Sequence, residues 1–215
     1  KKWLYLINER GISSNYMFPA HTHINEHLYR LSKKKIYSRE DITSFSLQMQ
    51  EQENHPAFEL SGYFLSQLIN YHYKHTNDSE TYVLFTEHLK KRVHLLCSEN
   101  NGADILVNGS VGNRFCLNMK KGNVVLTGDA KDILAPHMKN GTLTVYGNVD
   151  AVECEKNKGV ITIIGDCKKI GAYVRKGTLF YRGEDASIRM TDGEYYYPAS
   201  EEKKYREMKE QQRLK

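Results

Sequence analysis

Five times between residues 102 and 183 the chain places a glycine, a short mostly apolar segment, and a second glycine. The leading members are Gly102, Gly122, Gly141, Gly159 and Gly177, spaced 20, 19, 18 and 18 residues apart. The closing members are Gly109, Gly128, Gly147, Gly165 and Gly183, spaced 19, 19, 18 and 18. A period this regular marks an internal repeat, and it constrains the fold more than any local propensity.

The residues between the glycines keep register too. Two positions before each closing glycine stand Val107, Leu126, Val145, Ile163 and Tyr181; four before stand Ile105, Val124, Leu143, Ile161 and Leu179. Apolar residues at spacing two form one face of a strand. Past the closing glycine, Val111, Ala130, Val149 and Cys167 form a third column, and Cys116, Ala135, Cys154 and Ala172 a column of small residues. One such unit cannot bury its own apolar face, so the units must stack, each residue over its equivalent about 4.8 Å away. The glycines are expected at corners, where the backbone needs φ values that other residues resist. A leucine-rich repeat would need a register that is absent. A left-handed hexapeptide helix would need glycine every six residues. Gly165, Gly171, Gly177 and Gly183 keep that step, but Leu134 and Glu153 occupy the place of Gly171 in other coils. The expectation is a mainly β fold: a right-handed parallel β-helix of four to five coils.

The repeat divides the chain into residues 1–90, a mixed α/β capping or docking region; 91–197, the β-helix; and 198–215, a charged helix or tail. In the first region Lys2–Ile7 reads as a strand, and Ser38-Arg-Glu-Asp41 as a capping box ahead of a helix over Ile42–Gln52. Phe58–Tyr73 has helical apolar spacing behind Pro56. Tyr82-Val-Leu-Phe85 and Val93-His-Leu-Leu96 read as strands leading into the first coil. A solenoid end is an open sheet edge that needs covering, which gives the first region its expected task.

The segment from Gly128 to Val149 resembles the GXGXG-motif repeat. This repeat occurs in the C-terminal domain of the glutamate synthase large subunit and in one of the component chains of formylmethanofuran dehydrogenase. Gly122, Val124, Gly128, Asp129, Ala130, Met138, Gly141, Leu143, Val145, Gly147, Asn148 and Val149 match it, and the resemblance covers about residues 102–186. Lys131 and Asp150 stand where the family often has glycine. The resemblance implies a β-helix that serves as a scaffold without catalytic groups of its own.

The residues themselves offer little chemistry. Ala20-His-Thr-His-Ile-Asn-Glu-His27 brings His21, His23, Glu26 and His27 together, but the chain lacks length for the barrel that completes such binuclear sites. Neither metal nor cofactor is expected. Within the coils His137 is the sole histidine, too few for the three-histidine zinc site of solenoid carbonic anhydrases. Cys97, Cys116, Cys154 and Cys167 sit singly; those of the coils occupy columns shared with Ala and Val and read as reduced, buried thiols. No phosphate-binding glycine loop opens a helix, no apolar run is long enough for a membrane span, and a cytoplasmic location is expected.

The net charge of +5 is mild. Lys33–Lys35, Lys90–Arg92, the tail (Lys203, Lys204, Arg206, Lys209, Arg213 and Lys215) and Tyr71, Tyr73 and Tyr195–Tyr197 are the groups through which a nucleic acid would be held. The leading expectation is a non-catalytic assembly subunit of a larger protein complex. The outward column Leu106, Val125, Thr144, Thr162 and Phe180 is its candidate docking face, unless residues 1–90 cover it. The alternatives are a ribosome- or RNA-associated protein with basic ends and, last, an enzyme subunit related to the two complexes above.

Overall fold

The protein is described by a computed structural model covering residues 37–55, 58–152, 158–170, 178–182 and 195–197. It is a β-solenoid of about four turns with a helical cap. One face is a parallel sheet of seven strands in the order β1 (Tyr82–Phe85), β2 (Ile105–Asn108), β3 (Asn123–Leu126), β5 (Thr142–Val145), β7 (Val160–Ile170), β8 (Thr178–Arg182) and β9 (Tyr195–Tyr197). A second face stacks β4 (Ala130–Leu134), β6 (Val149–Val152) and the far half of β7, which runs from one face to the other.

The register is that of the repeat. Ile105 pairs with Val124, Val124 with Leu143, and Leu143 with Ile161; Val107, Leu126, Val145 and Ile163 align likewise. Every one of these side chains is buried. The first rung, however, lies ahead of residue 91. Tyr82 and Leu84 pair with Ile105 and Val107 and are themselves fully buried, so the solenoid begins at Tyr82. Its sequence hides this because no glycine pair flanks it.

Val93–Leu96 is a corner and not a strand. Leu95, Cys97 and Glu99 have φ of 61°, 60° and 58°, and one coil on Arg114, Cys116 and Asn118 repeat them at 58°, 58° and 54°. Cys97, Cys116 and Ala135 all adopt this left-handed conformation and all are buried, so the small-residue column lies at an inward-facing corner, while Leu95 and Arg114 take the same φ with larger side chains. The glycines divide by cause. At the leading corner Gly122 needs its φ of 90°. At the closing corner Gly147 has no positive φ; a Cβ there would fall on the carbonyl of Gly128 one coil below.

The residue after each closing glycine forms a polar stack. The Ser110 hydroxyl accepts the Asp129 amide at 3.0 Å, the Asp129 carboxylate accepts the Asn148 amide at 2.8 Å, and the Asn148 side-chain oxygen accepts the Asp166 amide at 2.9 Å. The acidic or amide residue of the repeat is thus a coil-to-coil bond.

Among the described residues two helices close the β1 end. α1 (Arg39–Gln48) starts with the expected capping box: the Ser38 hydroxyl accepts the Asp41 amide, and the Asp41 carboxylate accepts the Ser38 amide. It ends at Gln48 and passes into a 3-10 turn, Met49–Gln52. The outer edge of β1 meets α1, where the Thr43 hydroxyl donates to the Val83 carbonyl at 2.8 Å and the Ser46 hydroxyl accepts the Phe85 amide at 3.1 Å. Side chains thereby satisfy the edge that strand pairing leaves open. α2 (Ser61–Thr76) follows a 3-10 turn, Phe58–Leu60, and packs on the first corner. Gly62 permits this approach, since a Cβ would fall on the His94 carbonyl oxygen. Ser66 donates to the Leu95 carbonyl, and His72 Nδ1 meets the Tyr82 hydroxyl at 2.6 Å. One hydrophobic cluster runs from Ile42 and Leu65 in the helices to Leu179 in β8.

Candidate functional site

Among the described residues the interior is filled by apolar side chains. Cys116 is fully buried and its thiol is held well above the ordinary range by that burial, with a hydrogen bond to Cys97 adding to the effect. Cys167 is pushed up to about 11, again chiefly by burial. Neither thiol is a nucleophile in waiting. His137 is half-buried at a left-handed corner with φ of 56°, and its Nδ1 has no hydrogen-bond partner among the described residues, so nothing orients it as a base. Among the described residues no group of three His, Cys, Asp or Glu side chains is arranged to hold a metal. His21, His23 and His27 lie outside the described residues, as do Gly177, Gly183, Lys33–Lys35 and the 201–215 tail.

The expected docking column is not an open face. Leu106 and Val125 are half-buried, whereas Thr144 and Thr162 are 6% and 1% exposed; the Phe180 side chain lies outside the described residues. A column closed to solvent at two of its levels cannot offer a continuous apolar surface to another molecule. Of the basic groups, Lys91 is spent on structure: its ammonium donates to the Glu53 carbonyl at 2.8 Å, while the Glu53 carboxylate accepts the amides of Lys90 and Lys91. Tyr73 turns its ring onto Gly102, and Tyr195–Tyr197 form the last rung of the sheet.

The structure draws attention instead to a lysine edge just ahead of the leading glycines. The Asn100 carbonyl accepts the amides of Lys120 and Lys121, and one coil on the Met119 carbonyl accepts those of Lys139 and Asn140. Lys120 therefore stacks under Lys139. Asn101 bridges to Lys121, and the pairing of Thr142 with Val160 continues that column through Asn140 to Lys158. Lys120, Lys121, Lys139 and Lys158 are all exposed, and among the described residues none makes an ion pair. Asp104, two residues past Gly102, is engaged by the Asn123 amide at 3.1 Å and side-chain nitrogen at 2.8 Å. The opposite flank is different: Lys168 pairs with Asp150 at 2.7 Å, which holds the Asp150 carboxyl below its usual range.

The edge does not stand out in the sequence as a lysine run, because its members are spread over about forty residues. The signal lies in the register: positions one and two before each leading glycine. Comparison with family models, curated proteins and solved structures finds no match for this chain. Among the described residues no helix is long and apolar enough to cross a membrane.

Proposed function

We propose that the chain is a non-catalytic scaffold or assembly subunit of a larger protein complex, acting in the cytoplasm. The carrying observation is the single core that joins the helical cap to the coils, which makes one rigid body of elements far apart in sequence. Rigidity of that kind suits a part that fixes the positions of others, and it lowers the ordering cost when a partner binds. Among the described residues the cysteines Cys97, Cys116 and Cys167 are buried in the packing. The resemblance of Gly122–Val149 to the GXGXG repeat supports the same reading, since that domain serves as a scaffold in its own complexes.

The test is recovery of the protein from its native extract at low and high salt, with and without nuclease. A scaffold retains a defined set of proteins in stoichiometric amount after nuclease and at moderate salt. Association with RNA that nuclease abolishes and salt weakens steeply, as counterion release dictates, would replace this reading with the nucleic-acid one.

A further inference from the structure

We infer that the lysine edge formed by Lys120, Lys121, Lys139 and Lys158 is the docking site for an acidic α-helical segment of a protein partner. The inference rests on the scaffold reading and adds to it the place and chemistry of contact. Three adjoining coils hold four exposed lysines in two neighbouring columns, Lys120 with Lys139 and Lys121 with Lys158, and among the described residues no carboxylate pairs with them. Lys120 and Lys139 are one coil spacing apart, about 4.8 Å, with Lys121 and Lys158 beside them; these like charges repel one another, and a complementary row of anions relieves that repulsion.

The spacing narrows the choice of occupant. Carboxylates at i, i+3 or i+4 and i+7 on one face of a helix recur about every 5.4 Å along its axis, close to the coil repeat. A helix laid along the solenoid axis would thus meet one coil per turn, within the reach of flexible lysine stems. The composition of the edge points the same way. Nucleic-acid grooves combine charge with aromatic platforms on which bases stack. Here the aromatic ring at the first coil, Tyr73, packs onto Gly102, and the exposed large apolar side chains, Leu47 and Tyr146, are not among the edge positions.

The experiment uses the full chain and three labelled probes: an alanine-rich helical peptide with glutamates on one face, a peptide of the same composition with the glutamates scattered, and a single-stranded oligouridylate. The one-faced peptide should bind best. Its affinity should fall about tenfold or more when Lys120, Lys121, Lys139 and Lys158 are all changed to Gln, as four exposed pairs of ordinary strength would give. Changing Lys131 and Lys169 on the opposite flank to Gln should leave binding within about twofold. The quadruple variant should melt as the parent does, because all four side chains are solvated. Equal binding of the two peptides, preference for the oligouridylate, or undiminished binding by the quadruple variant would each overturn the assignment. Recovering the native complex intact with the quadruple variant would also overturn it while leaving the scaffold reading in place; loss of any complex from the parent itself would remove the scaffold reading.

Discussion

The coils and the helical cap share one core but build it by opposite means. In the coils each side chain packs on its own equivalent: Val107 on Leu126, Leu126 on Val145, Val145 on Ile163. One solution is used repeatedly, so the sequence repeats. In the cap every contact is made once. Gly62 meets the His94 carbonyl, Thr43 and Ser46 satisfy the edge of β1, and His72 meets Tyr82. The difference teaches where such a molecule is vulnerable. A coil defect strains the equivalent residues above and below it, whereas a cap defect strains the joint between α2 and the first corner.

The largest effect should come from Val145→Asp in mid-stack. The side chain is fully buried between Leu126 and Ile163, and a carboxylate there has neither water nor partner. We expect a loss of about 4 kcal/mol or more, enough to lower the melting temperature by roughly 10 °C or to prevent folding. A melting curve within a degree or two of the parent's would show that the stacking register is wrong.

A smaller loss, about 1–3 kcal/mol, is expected for Gly62→Ala, because the added Cβ overpacks the cap–coil joint. If the comparison holds, thermal melts of this variant should show the whole chain destabilised together, not α2 detaching from intact coils. Helical circular dichroism lost ahead of the sheet signal would break the comparison.

Tyr82→Phe should have the smallest effect, about 1 kcal/mol for the hydrogen bond to His72. It also carries a pH signature. Burial raises the Tyr82 phenol from its ordinary value near 10 to about 12. With the folded value above the unfolded one, its contribution is complete below about pH 10 and is lost as pH rises from about 10 to 12. Denaturant titrations should show the parent losing stability more steeply over that window than the Tyr82→Phe variant; identical slopes would mean that the phenol is not buried as described.

What the sequence discloses follows the same division. The inward columns, their register and the capping box at Ser38 are legible because each is a local rule or a repeated one. The first rung at Tyr82–Phe85 is readable as a strand but not as part of the stack, since the coil it belongs to has no glycine pair. Val93–Leu96 looks like a strand because its apolar residues suit one. Only the φ values of Leu95 and Cys97, imposed by stacking against Arg114 and Cys116, make it a corner. The docking column misleads for a related reason: alternation says that Thr144 and Thr162 point out of the coil, not that they reach water. The lysine edge needs the register first, since its members become neighbours only once the coils are stacked.

The scaffold account depends above all on cap and coils behaving as one rigid body, and amide hydrogen exchange measures that directly. The Phe85 amide is held by Ser46 of α1, and the Tyr146 amide by the Leu126 carbonyl of the preceding coil. If the shared core couples the two regions, both amides, with those of α2, should exchange through the same global opening and show the same free energy and denaturant dependence. Exchange of Phe85 and α2 through a separate opening of much lower free energy, with Tyr146 still protected, would contradict the account.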